Sequence, residues 1–365
     1  MRFRPMLAAL VLSLVSTVTF VLPASPAAAA PADQWGFAYF DNPTPPAGWI
    51  TLDPNRQWST SRVAFPADLV TGYRIAAGRY YVRFPHLAAA GAGIVHVTAV
   101  NRTGQYCETM FARDSGADLI VGVACFKPGG APDDSRFTVM FTLGSGGGAA
   151  WAPGAYAFVR YGTAGIVAQD NSTGALNGAG PIGVGAYSVK LPGVAVAGSL
   201  AGNLQATAIG PNAQPRRCKI AKWGVSGVDV VAYVFCFDAA GVRTNTEFAV
   251  SYHRERPIVA TYPPKYFGYV WTPDLAGPSN YNNLYGFGAN SGAPVIGLPG
   301  HYAYKFPGIA VKETHAQVTA YGDDPNYCTI ADWSGSPDLL LRLVCFTNTG
   351  ATAPTSFFAT TNSRI

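Results

Sequence analysis

The stretch CETMFARDSGADLIVGVAC, residues 107–125, decides how the chain reads. It opens on Cys107, runs as a mixed polar and apolar strand, turns at Ser115, Gly116 and Asp118, and returns as an apolar strand ending in Cys125-Phe126. The same pattern recurs as CKIAKWGVSGVDVVAYVFC at 218–236 and as CTIADWSGSPDLLLRLVC at 328–345. These six cysteines are all the cysteines in the chain.

Working outward, three further markers repeat with a period of about 110 residues, the size of a domain rather than of a solenoid unit. A Gly-x-Tyr strand ending in proline precedes each cysteine pair: Gly78, Tyr80, Val82, Phe84; Gly185, Tyr187, Val189, Leu191; Gly300, Tyr302, Tyr304, Phe306. A strand ending in Thr-Ala comes next, at Thr98-Ala99, Thr207-Ala208 and Thr319-Ala320. An aspartate stands seven residues before each second cysteine (Asp118, Asp229, Asp338). A glycine stands five after it (Gly130, Gly241, Gly350) and a phenylalanine twelve after it (Phe137, Phe248, Phe357). Identical offsets in three places define three copies of one unit.

These markers set the organisation. Residues 1–30 read as a signal peptide, 31–143 as repeat one, 144–154 as a Gly-rich linker, 155–252 as repeat two, 253–265 as a Pro-containing linker and 266–365 as repeat three. The signal reading rests on Arg2 and Arg4, the apolar run Leu7 to Leu22, and the Ala-rich end at Ala27 to Ala30. The apolar run is short for a membrane span, and no later segment is long and apolar enough for one. Loss of Arg2 and Arg4 lowers the formal charge of +5 by two. The remaining basic residues are scattered, so no nucleic-acid patch is expected.

Six cysteines in an exported chain read as three disulfides, Cys107–Cys125, Cys218–Cys236 and Cys328–Cys345, one per repeat. Each closes a loop worth about 3 kcal/mol in the chain-entropy model. Zinc is the poorer reading, because the paired cysteines lack the close spacing that holds a metal. Charged residues are only 12 % of the chain, while Gly, Tyr and Phe are abundant, which favours strands joined by turns. Positions two, four and six before each second cysteine are apolar in all three copies. This period-two alternation predicts antiparallel strands with one buried face. The expected fold is all-β: three tandem antiparallel β-sandwich domains, jelly-roll-like in outline, with six to eight strands and one disulfide each.

The Gly-x-Tyr strand, the Thr-Ala strand and the Cys-Phe-x-x-x-Gly hairpin together resemble repeats in secreted proteins of high-GC Gram-positive bacteria. The resemblance covers nearly all of the chain after residue 30. It implies export and repetition, and carries no activity, cofactor or catalytic residue. The Gly-x-Tyr strand by itself is similar to strands of jelly-roll modules such as complement C1q heads.

Catalytic chemistry is hard to find. His86, His96, His253, His301 and His315 do not occupy a common repeat position. Gly224-Val225-Ser226-Gly227 lacks the final spacing of a nucleophile elbow, and Ser226 reads as a hairpin residue. No metal, phosphate or EF-hand motif is present, and no cofactor is expected. Asp118, Asp229 and Asp338 read as turn residues bonded to local backbone N–H groups. Repeat one differs by a longer opening segment, Asn42 to Arg74, with Trp49 and Trp58. It also has Phe111 and Ala112 where the other repeats place Trp223 and Trp333.

Two rows stand out as a candidate binding face on the water side of the sheet. One is Arg83, Lys190 and Lys305. The other joins His96, Gln205 and Gln317 to Thr98, Thr207 and Thr319. The segment Tyr281 to Asn290 adds exposed aromatic and amide groups. The expectation is a non-catalytic binding or adhesion module for extracellular glycan, wall polymer or protein. The alternatives are a structural matrix protein and a hydrolase with an unrecognised site.

Overall fold

The computed structural model describes residues 34–89, 91–144, 154–260 and 265–364. The signal-peptide reading, most of the 144–154 linker and part of the second linker lie outside the described residues. Repeat one supplies β1 (Trp35–Phe40), β2 (Ile50–Thr51), β3 (Gln57–Ser59), β4 (Thr71–Ala76), β5 (Arg79–Phe84), β6 (Ile94–Val100), β7 (Tyr106–Ser115), β8 (Asp118–Phe126) and β9 (Arg136–Thr142). Repeat two supplies β10 (Ala155–Gly162), β11 (Gly165–Asn171), β12 (Gly178–Gly183), β13 (Ala186–Leu191), β14 (Asn203–Ile209), β15 (Arg216–Ser226), β16 (Asp229–Asp238) and β17 (Glu247–Arg254). Repeat three supplies β18 (Phe267–Trp271), β19 (Tyr281–Asn282), β20 (Gly286–Phe287), β21 (Ser291–Pro294), β22 (His301–Phe306), β23 (Thr314–Tyr321), β24 (Tyr327–Ser334), β25 (Leu339–Phe346) and β26 (Ser356–Ser363). Among the described residues the helical content is two short 3-10 turns, Thr60–Val63 and Thr272–Asp274.

The cysteine hairpins form as their alternation predicts. Each pair sits directly opposite across its ladder, with Cα–Cα distances of 4.0, 4.1 and 3.9 Å, and each is disulfide-bonded. The apolar positions before the second cysteine, such as Val121, Ala232 and Leu341, are fully buried. The marker glycines have a physical reason. Gly78, Gly185 and Gly300 adopt positive φ, and a Cβ on any of them would strike the carbonyl of Cys125, Cys236 or Cys345. Their own carbonyls accept from the N–H of those same cysteines.

Each repeat is a two-layer sandwich, but its two layers belong to different sheets. The three sheets run β21-β22-β25-β24-β6-β9-β1-β3, β11-β10-β17-β14-β7-β8-β5-β4-β2 and β12-β13-β16-β15-β23-β26-β18-β19-β20. Every sheet joins strands of two repeats through one parallel contact, and these contacts are equivalent: Ile330↔Val100, Thr109↔Ile209 and Ile220↔Tyr321. Repeat one joins repeat three, repeat two joins repeat one, and repeat three joins repeat two. The chain thus closes on itself around a pseudo-threefold axis, and residues Ala32–Ile365 form one compact unit.

The segment 253–265, read as a linker, departs from that reading. His253 and Arg254 end β17. Ile258, Val259 and Ala260 are fully buried, and the Val259 carbonyl accepts from Thr142 Oγ1 of repeat one at 2.8 Å. The long opening segment of repeat one also reaches across a junction. Arg56 lies over the Trp333 ring at 4.4 Å, and the Asn55 carbonyl accepts from the Glu313 N–H.

The expected water-facing row of histidine, glutamine and threonine is overturned. His96, Thr98, Gln205, Thr207, Gln317 and Thr319 are each between 1 and 5 % exposed. They face the axis, where the three Thr-Ala strands meet. Thr207 Oγ1 bonds His96 Nδ1 at 2.9 Å and accepts from Val97 N–H at 3.4 Å. Thr319 Oγ1 donates to Gln205 Oε1 at 3.0 Å and accepts from Ala206 N–H at 2.9 Å. Thr98 Oγ1 donates to Gln317 Oε1 and accepts from Val318 N–H at 3.3 Å. Alternation marks a polar face. It does not say whether water or another repeat covers that face.

Burial depresses the histidines in this interior, His96 and His253 to about 3 and His315 to about 4. The unfolded chain takes up these protons near pH 6.5 and the folded one does not. Their stabilising effect is therefore complete above that range and is lost as the pH falls toward 4, at up to about 1.4 kcal/mol per pH unit for each histidine. Urea unfolding between pH 7.5 and 4.5 should show this slope, and His96→Asn should lower it by about a third. A stability independent of pH in this window would refute the buried neutral state.

Candidate functional site

The three remaining residues of the expected binding face, Arg83, Lys190 and Lys305, do sit at the surface. They do not converge. Arg83 is in β5, Lys190 in β13 and Lys305 in β22, one on each sheet. Each pairs with the aspartate of its own repeat, at 4.0, 2.9 and 2.6 Å for Asp118, Asp229 and Asp338. The lysine hydrogen bonds hold Asp229 and Asp338 below the usual carboxylate range. The aspartates' other oxygens accept from the N–H groups of His86, Gly193 and Gly308. They are thus not local turn residues. They tie the hairpin to the loop that leaves the Gly-x-Tyr strand, more than 30 residues earlier for the first two.

The other singled-out groups are also structural. In the segment Tyr281 to Asn290, Asn282 and Asn290 are buried and bond neighbouring backbone, while Tyr285 and Phe287 are exposed. Ser226 closes the β15–β16 hairpin opposite Asp229. His96, His253 and His315 are enclosed near the axis. His86 stacks on Phe65 and bonds Asp68, and His301 bonds the Pro299 carbonyl. Asn101-Arg102-Thr103 and Asn171-Ser172-Thr173 match the glycosylation sequon, but Asn101 and Asn171 are buried, with their side-chain N–H groups already donated.

The concave site lies in repeat two, at residues that their sequence pattern did not single out for binding. Three aromatic rings pack at one end of each of the first two sandwiches. In repeat one they are Phe40, Tyr80 and Phe137; in repeat two they are Tyr161, Tyr187 and Phe248. The tyrosine hydroxyl accepts a backbone N–H in all three repeats, from Ser135, Thr246 and Thr355. The repeats differ in the segment after the opening strand. In repeat one the chain continues over the rings, Pro43 O accepts from Tyr80 Oη at 3.0 Å, and Phe40 is fully buried. Repeat three has Thr272 in place of the first ring, accepting from Phe357 N–H. In repeat two the chain reverses at once between Gly162 and Gly165, the latter at φ +117°. Tyr161 is left partly exposed.

The result is a cleft of about 440 Å³, with Tyr161, Tyr187, Pro181 and Pro211 as its apolar lining and Gln214, Arg216, Asn245 and Glu247 as its polar one. That volume suits a small ligand. Arg216 is steadied by donating to Gln214 Oε1 at 3.1 Å and to the Pro215 carbonyl at 3.0 Å. Asn245 Oδ1 accepts from Gly185 N–H at 2.9 Å. The cleft thus offers an aromatic shelf, amides, one cation and one carboxylate. No histidine lines it. The signal for it lies in the differences between the repeats: only the second copy returns from its opening strand within a few residues.

No family model, no curated protein and no solved structure matches this chain. The functional reading therefore rests on the site alone.

Substituting Arg83, Lys190 and Lys305 together with glutamine should leave the far-UV spectrum and the melting transition almost unmoved, because these pairs face water. Loss of the cooperative transition would instead make them structural ties.

Proposed function

We propose that the protein is a secreted, non-catalytic binding module, and that the repeat-two cleft takes a saccharide unit of an extracellular glycan or wall polymer. The observation that carries this reading is the uncovered Tyr161 ring beside Tyr187, with amide, guanidinium and carboxylate groups around it. A sugar presents an apolar ring face bordered by hydroxyls, and this lining matches both. The three disulfides and the sequence of the first 30 residues support an extracellular setting. No helix among the described residues is long and apolar enough to cross a membrane.

A structural role is the second reading, and one observation favours it. Equivalent hairpins at the sheet edges carry exposed isoleucines, Ile75, Ile182 and Ile296. Exposed apolar groups near sheet edges favour association between copies. Light scattering at rising concentration separates the two readings.

The binding reading is tested by retention on insoluble polysaccharide and cell-wall preparations, followed by titration with soluble fragments of whichever retains the protein. Gln214→Ala should weaken retention about tenfold, the effect of losing roughly 1.4 kcal/mol, while the melting transition stays close to the parent's. Tyr161→Ala should weaken it at least as much and also lower the melting temperature, because that ring packs on Tyr187 and Phe248. Failure of the unmodified protein to be retained on any such polymer would sink the proposal.

A further inference from the structure

At one end of the pseudo-threefold axis the residues just before the first cysteine of each repeat meet: Tyr106, Arg217 and Tyr327. The Arg217 guanidinium lies against both rings, 4.6 Å from each centroid, while the rings themselves meet edge-on at 5.5 Å. It is only 8 % exposed. Its Nη2 donates to Asn348 Oδ1 of repeat three and, at 3.5 Å, to the Asp238 carbonyl. Both acceptors are neutral. Nε and Nη1 have no hydrogen-bond partner, and neither does Tyr106 Oη.

A buried cation with unpaired donors is costly, and proteins normally supply a carboxylate for it. Among the described residues none lies within ion-pair distance of Arg217. Of the carboxyl groups nearby, Glu108 accepts from Arg216 N–H through Oε2 and burial pushes it toward its neutral form, and two others are committed elsewhere. Asp238 Oδ1 accepts from the Ala240 and Val242 N–H groups of its own turn. Asp324 is taken by Lys219 at 2.7 Å. The tyrosine rings attract the guanidinium, but they leave Nε and Nη1 without an acceptor.

These groups border a cavity of about 60 Å³, lined by Arg216, Arg217, Lys219, Tyr106, Tyr327 and neighbouring backbone from all three repeats. Three basic residues and no acidic one contribute to that lining. The space exceeds the roughly 10–15 Å³ needed to hold one water. Water could satisfy the N–H groups, but it would not neutralise the charge.

We propose that this axial cavity is a binding site for a small inorganic anion, chloride or a compact oxyanion, with Arg217 as its principal ligand and Tyr106 Oη as a second donor. The anion would complete the charge balance where the three repeats meet, and so would favour the closed ring.

The test is thermal unfolding of the full chain after dialysis into a buffer whose only anions are large organic ones. Sodium chloride, sulfate and phosphate are then titrated separately, with sodium gluconate as the ionic-strength control. A saturable rise in melting temperature with chloride, or with the oxyanions, and none with gluconate is expected; which arm responds identifies the class. Arg217→Gln should abolish the saturable response or move its midpoint by at least about tenfold. Should that variant fail to fold, Tyr106→Phe removes one donor alone and should weaken the response, and chloride-35 line broadening on the unmodified protein reads binding directly. Equal responses to gluconate and the small anions, or an unchanged response in the variants, would overturn the site.

Discussion

The structure depends on three threonines that cannot be satisfied within their own repeats. Thr98, Thr207 and Thr319 each accept the backbone N–H of the residue preceding the equivalent threonine in the next repeat around the axis. Each also bonds the residue two before that threonine: Gln317, His96 or Gln205. The hydroxyls, amides and imidazole are out of water, so an open ring would leave buried polar groups unpaired. The parallel strand contacts at the junctions act in the same sense. A repeat alone would present two unpaired strand edges at its centre, one on each layer. Closure is therefore the condition for a stable core, and one chain carries all three partners that closure needs.

A symmetric frame leaves the order of the repeats to be specified, and this chain specifies it with unlike residues at equivalent positions. The residue after the first cysteine meets the neighbouring loop at every junction. Glu108 accepts from Arg216 N–H, Lys219 donates to Asp324 and to the Asn326 carbonyl, and Thr329 donates to the Asn101 carbonyl. An acceptor, a cation and a hydroxyl cannot exchange places without leaving a buried group unmatched. The apolar side differs as well. Trp223 packs on Trp271 and Phe358 across one junction, and Trp333 on Tyr39 across another. The third has Ala112, which packs within its own repeat's core.

The hairpins and their disulfides were legible because each is a local matter of spacing and alternation. The closed ring was not. Period-two alternation separates two faces of a strand but is blind to what covers them. His96, Gln205 and Gln317 with their threonines have the composition of a wetted face, and Arg83, Lys190 and Lys305 have it too. Only the second set is wet. One difference between the rows is visible in their side chains: the polar members of the buried row carry no aspartate, glutamate, lysine or arginine, whereas the exposed row is entirely basic. A neutral polar row shared by three strands rich in valine and alanine can be buried against copies of itself, since amides and hydroxyls both donate and accept. A row of like charges cannot.

The cleft arises in one repeat because the ring contacts do not constrain the segment that would cover it. The Tyr-Phe packing at the end of the sandwich belongs to the core and is kept in each copy, but the connection after the opening strand is free to vary, since it lies outside the ring of contacts that closure demands. Repeat one uses that freedom to add the edge strand β2 beyond β4 and to fasten Arg56 over Trp333. Repeat three adds β20 at the edge beyond β19. Repeat two does neither, and the shortest connection leaves the aromatic shelf uncovered. The cleft is thus made by an omission in a frame whose rigidity comes from elsewhere, so its lining is held in place without having to contribute to the closure of the ring.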